Sequence, residues 1–191
     1  SDESLITECI QFFTKATWPD GSVSRTVVIG ACSGPPREVD PRLIEEHLPP
    51  SSAADYLSCL NNIDDSRCDF ILVDLRAILD TKTGRREFLE LSDRFFASVR
   101  RALRDDRYCC FISSDAGVGA GMFPTPWAIG LAGRAHLRLR DERIGLRESD
   151  EPLIYCLFMQ ASDDKRPPFI ASEGVLQVAE TGEVADRKSV V

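Results

Sequence analysis

No stretch of this 191-residue chain approaches the roughly 18 consecutive apolar positions of a membrane span, and Ser1-Asp2-Glu3-Ser4 lacks the basic start of a secretory signal. The expectation is a soluble protein without membrane contact. Histidine is scarce: His47 and His136 are the only two, far apart and far from any close pair of cysteines. The seven cysteines, at 9, 32, 59, 68, 109, 110 and 156, show no Cys-x-x-Cys spacing, and most fall inside apolar runs. An odd, scattered set of this kind reads as reduced, buried thiols of a cytosolic or nuclear protein, with no metal site. Also absent is any Gly-x-x-x-x-Gly-Lys-Ser/Thr turn, whose backbone N–H groups and lysine would hold nucleotide phosphates. Net positive charge is missing as well. At −8 the chain is a poor candidate for coating nucleic acid unaided, because phosphate neutralisation dominates such binding.

What is present reads as alternating elements. Leu5, Cys9, Phe12, Phe13 and Ala16 recur at helical spacing before the stop Pro19-Asp20-Gly21, and Thr26-Val27-Val28-Ile29 is a short β-branched strand. Gly30 to Pro36 is a loop, a weak helix is expected around Pro41 to His47, and another runs near Ala53 to Asn61. Asp69-Phe70-Ile71-Leu72-Val73-Asp74 is a buried strand ending in a carboxylate. After the polar turn at 80–86 comes the clearest helix, with Phe88, Leu91, Phe95, Val99 and Leu103 on one stripe, and then the strand Tyr108-Cys109-Cys110-Phe111-Ile112. Strand and helix alternating at these lengths imply a parallel α/β sheet. The glycine-rich segment from Asp115 to Pro126 is read as a mobile loop. Two stretches, 135–140 and 154–159, alternate apolar with polar as antiparallel strands do, and Ile170 and Val175 to Val178 close the pattern. One domain over 1–180 with a polar tail at 181–191 is expected.

The order of these pieces resembles the RecA superfamily, specifically the eukaryotic and archaeal recombinases and their paralogues. Thr83-Gly84-Arg85-Arg86-Glu87-Phe88-Leu89 is similar to the family's loop and helix start, and Arg94 falls where its helix carries an arginine. His136-Leu137-Arg138-Leu139-Arg140 looks like its arginine-rich strand, and Pro168 to Val175 like its closing segment. The resemblance implies a RecA-like, mostly parallel sheet flanked by helices with an antiparallel β-rich C-terminal edge. It makes Asp74 a degenerate form of the family's magnesium-side carboxylate. The departures fall on the chemistry: no phosphate loop, Gly30-Ala31-Cys32-Ser33-Gly34 in place of the segment carrying the general base, and Ser113-Ser114-Asp115 in place of the γ-phosphate sensor. Hydrolysis is therefore not expected, and no cofactor is implied.

The same resemblance places two loops against single-stranded DNA, with Lys82, Arg85 and Arg86 in the first and Gly119, Met122 and Phe123 in the second. Cations would meet phosphates there, and an apolar side chain would wedge between bases. The implied function is a non-catalytic recombinase paralogue in homologous recombination repair. It would bind a related RecA-fold subunit and assist recombinase assembly on DNA, in the nucleus or, in a prokaryote, in the cytoplasm. One alternative is a RecA-fold scaffold of an Elongator-type tRNA modification complex. The other is an S-adenosylmethionine-dependent methyltransferase, whose sheet also ends in an antiparallel hairpin and could use the loop after Ile29. That reading needs an acidic residue ending a second strand about 20 residues further on. Pro49-Pro50-Ser51-Ser52 stands in that region instead.

Overall fold

The structure is a computed structural model and describes residues 2–14, 21, 23–30, 41–47, 49–114, 125–145 and 153–162. Helix α1 (Asp2–Phe13) leads to strand β1 (Thr26–Ile29), and a 3-10 turn at Pro41–Leu43 runs into β2 (Ile44–His47). Helix α2 (Ala53–Asn61), strand β3 (Cys68–Asp74), the short α3 (Arg76–Leu79) and the long α4 (Lys82–Ala102) follow. Strand β4 (Leu103–Ser114), helix α5 (Thr125–Gly133) and strands β5 (Arg138–Gly145) and β6 (Ile154–Gln160) complete the order.

Six strands form one sheet in the order β2-β1-β3-β4-β6-β5. The first four are mutually parallel, and β6 inserts antiparallel between β4 and β5. The coarse fold class read from the sequence, α/β with a mostly parallel sheet flanked by helices, is what the chain adopts. Strand β3 is buried at every position, as its unbroken apolar run between two parallel neighbours requires.

The two sheet faces are covered unequally. On one, α2, α4 and α5 pack over Val27, Ile29, Ile71, Val73, Cys109 and Phe111. Phe88, Phe95 and Phe96 of α4 meet edge to face there, and Phe95 and Phe96 both reach Phe111. Each phenylalanine so buried stabilises the fold by about 1.5–3 kcal/mol. Capping sets the helix starts: Ser52 Oγ accepts from Asp55 N–H at α2, and Thr81 Oγ1 from Gly84 N–H at α4. On the other face lies α1, whose Ile6, Cys9 and Ile10 pack with Val28, Phe70, Leu72, Cys110, Ile112, Cys156 and Phe158.

Three local expectations need correction. Residues 44–47 extend as β2 rather than coiling, because pairing with β1 from Thr26↔Ile44 to Ile29↔His47 outweighs the weak helical pattern of four residues. The region opening at Pro126 is helical, since α5 runs from Thr125, and its apolar side buries Ile129 and Gly133 against α4 and β6. The expected strand at 135–140 starts later, at Arg138, after a turn in which His136 and Leu137 N–H groups bond Gly133 O. Ile170, Val175 to Val178 and the 181–191 tail lie outside the described residues. Among the described residues no helix is long and apolar enough to cross a membrane.

Candidate functional site

From β1 the chain passes outward to β2 and then returns across β1 to β3, so the strand order reverses between β1 and β3. In open α/β sheets the crevice beyond the carboxyl ends of the strands at such a reversal is where ligands bind. Gly30 ends β1 at this point, with φ of +85° and its N–H donating to His47 O at 3.1 Å. A Cβ at Gly30 would lie 2.6 Å from Tyr56 Oη and 2.7 Å from Asp74 O. Both the left-handed backbone and the contact demand glycine. Buried Tyr56, from α2, donates its hydroxyl to Asp74 O at 2.6 Å and so ties the ends of β1, α2 and β3 together.

The Asp74 carboxylate is fully engaged by its own chain. It accepts from Arg76 N at 3.1 Å, from Arg76 Nε at 2.9 and 3.1 Å, and from Arg76 Nη2 at 2.6 Å. These bonds push the Arg76 guanidinium up from its ordinary value. The place a cation would take beside Asp74 is filled by Arg76. Next along the edge, Ser114 Oγ donates to Asp80 Oδ1 at 2.7 Å, while Ser113 Oγ is buried without a partner among the described residues.

Strand β2 carries two carboxylates, one toward each face of the sheet. Glu45 pairs with Arg25 and bonds His47 Nε2 at 3.0 Å, and the Arg25 bond draws its carboxyl below the usual range. Glu46, in register with Val28, is exposed. Alternation along the strand turns it to the face opposite Glu45. The sequence argument looked for this acid at 49–52 and missed it by a few residues. A count from β1 was the wrong ruler, since the loop between the strands has no fixed length; the mixed run Ile44-Glu45-Glu46-His47 was the available signal.

Of the residues expected at a DNA surface, Lys82 and Arg86 are exposed on the first turns of α4, and Arg85 is half-buried with Nη1 donating to Leu79 O at 2.6 Å. Gly119, Met122 and Phe123 lie outside the described residues. A cavity of about 490 Å³ lies elsewhere, lined by Ser24, Arg25, Arg42, Glu45, Arg67 and Arg104 among others. It sits around the start of β1, away from the strand reversal, and Arg25, Arg67 and Arg104 already pair with Glu45, Asp64 and Asp69.

The sequence matches no family model and no curated protein. Solved structures are similar to it. The [4+2]-cyclase SpnF aligns with a TM-score of 0.53 at 9% identity, covering 83% of this chain and 80% of its own. The fold of this chain is like that of methyltransferase structures. The 1,6-didemethyltoxoflavin-N1-methyltransferase of Burkholderia thailandensis, solved with S-adenosylhomocysteine, aligns with a TM-score of 0.52 at 14% identity, covering 85% of this chain and 77% of its own. A Galdieria sulphuraria protein described as a sarcosine dimethylglycine methyltransferase reaches 0.50 at 8% identity, with coverages of 85% and 86%. The chain spans 57% of a Thermus thermophilus protein described as a DNA modification methylase, at 15% identity and a TM-score of 0.47.

These findings overturn the recombinase resemblance and what hung on it: the RecA-like core, the pseudo-ATPase, the role in homologous recombination and the expectation of no enzymatic activity. The similar structures are those of enzymes of another kind. The motif matches misled because each was short, and a strand ending in aspartate before a helix is shared by many α/β sheets. Asp74 serves as an anchor for Arg76 rather than as a remnant of a magnesium site.

Proposed function

We propose that this chain binds a nucleoside cofactor of the S-adenosylmethionine class at the carboxyl ends of β1 and β2 and serves methyl transfer. The observation that carries the reading is the strand order, reversing beside a glycine turn and closed by an antiparallel strand inserted next to the edge. Structural likeness to a methyltransferase solved with S-adenosylhomocysteine supports it. So does an acidic second strand, the feature that nucleoside-binding sheets place on ribose hydroxyls.

The described residues fit such a group at its nucleoside end. Gly30 lets the backbone leave β1 at a positive φ with no side chain in the way, and exposed Glu46 offers an acceptor without an ion-pair partner among the described residues. Tyr56 and Arg76 hold the neighbouring strand end rigid from beneath. When bound, the cofactor supplies an electrophilic methyl group. The chain's part is to orient it and to keep water from it. A likeness to a cyclase on the same fold is a reminder that reaction type follows from the site and not from the sheet.

Isothermal calorimetry with S-adenosylmethionine and S-adenosylhomocysteine tests the proposal. One-to-one binding is expected, weakened about 10-fold or more in Glu46→Gln through loss of a charged acceptor worth about 1.5–3 kcal/mol. No heat with either ligand, from a protein whose circular dichroism shows it folded, refutes it.

A further inference from the structure

Three cysteines that the sequence scatters across 147 positions converge beneath α1. Cys9 projects from α1, Cys110 from β4 and Cys156 from β6, and their sulfurs all lie within 4.8 Å of one another. All three are buried, with exposures of 2%, 0% and 0%, in a shell of Ile6, Ile10, Ile112, Ile154 and Phe158. The arrangement is not what burial alone produces. Cys68 and Cys109 are equally buried among the residues of the opposite face, and neither belongs to a sulfur cluster; the Cys109 thiol donates instead to Met159 O at 3.5 Å.

We infer that Cys9, Cys110 and Cys156 form a three-thiolate site for a thiophilic d10 metal ion, Zn2+ or Cu+, that pins α1 to the sheet. Thiolate sulfur selects these ions among those available to proteins. An ion about 2.3 Å from each sulfur sets its sulfurs about 3.8 Å apart, so side-chain movement of about 1 Å closes the cluster. Binding replaces the thiol protons, which leave to solvent as metal–sulfur bonds form. Three thiolates around a divalent ion leave one negative charge, and Arg143 acts electrostatically on Cys9 from its position 5.4 Å over the Phe158 ring. Charge balance favours Zn2+, whereas a ligand set of three suits Cu+. The structural use is plain. Among the described residues α1 is the helix on that face, and a metal bond to β4 and to β6 would fasten it at two strands.

The test uses the full chain, reduced and metal-free under anaerobic conditions. Zn2+ and, separately, Cu+ are titrated against a chromophoric chelator. One ion per chain is expected, with binding lowered more than about 100-fold in Cys9→Ser, beyond what loss of an outer-shell partner costs, and unchanged in Cys59→Ser. Melting temperature should rise with the ion in the natural protein and not in Cys9→Ser. X-ray absorption of the loaded protein needs no variant and should find three sulfur neighbours at about 2.3 Å. Uptake of either ion on these sulfurs supports the site, and the arm that binds names the ion. Uptake of neither, equal binding by Cys9→Ser, or a shell of nitrogen and oxygen alone overturns it.

Discussion

Gly30→Ala is the perturbation on which the site geometry makes its sharpest demand. At φ +85° an alanine pays the left-handed penalty of about 1–2 kcal/mol. Its Cβ also meets two atoms, Tyr56 Oη at 2.6 Å and Asp74 O at 2.7 Å, and the second is backbone in the middle of the sheet. If Tyr56 yields, its buried hydroxyl loses Asp74 O and a further cost of about 1–3 kcal/mol appears for the unsatisfied group. The sum is about 2–5 kcal/mol, a large share of the roughly 5–15 kcal/mol that holds a domain together. Urea unfolding followed by circular dichroism measures it as a fall in midpoint at unchanged m. Tyr56→Phe in the same background distinguishes contact from backbone strain. Removing the hydroxyl relieves one of the two clashes, so the double variant should be more stable than the sum of the single effects by about 1 kcal/mol. Gly30→Ala within about 0.5 kcal/mol of the natural protein, or strict additivity with Tyr56→Phe, would refute the claim that the end of β1 is packed this tightly.

Two further outcomes follow from charges near the start of the strands. Asp69 is fully buried and accepts from Arg25 N at 2.9 Å, Arg107 Nε at 3.2 Å and Arg104 Nη1 at 3.4 Å. Asp69→Ala should cost about 3 kcal/mol in urea unfolding, the low end for breaking a buried pair because both arginines can regain water. Glu45 has its carboxyl drawn below the ordinary 4.5 by the Arg25 hydrogen bond, so its contribution is present above pH 4.5 and is lost as pH falls through the lowered value. With 41% of that side chain exposed, the contribution is below about 1 kcal/mol. Glu45→Gln should flatten the acid limb of stability below pH 4.5 by that amount and leave neutral pH nearly unchanged, and an unaltered acid limb in the variant would show that the pair contributes nothing.

Periodicity and composition were enough to place most of the scaffold. The β-branched run at 26–29, the apolar run ending at Asp74, the phenylalanine stripe of α4 and the strand at 154–159 carry local signals stronger than their surroundings, and all four are elements of the structure. Strand β2 was illegible because four residues hold too little pattern to outvote a weak helical reading, and only its pairing with β1 makes it extended. With β2 hidden, the acidic residues that a nucleoside site needs were sought in the wrong place. For that reason the sequence leaves the methyltransferase reading as an alternative and not the first one.

Long-range placement lay beyond the sequence for a physical cause. Strand order is settled by which apolar faces cover one another, and a list of short motifs is compatible with several orders. The same holds for the thiols. Spacing along the chain shows no clustered metal ligands, yet a helix laid across two antiparallel neighbours brings positions 9, 110 and 156 to one point. Residue chemistry and local conformation were written in the linear chain; which carboxylate stands beside which turn, and which sulfurs meet, came only from packing the sheet.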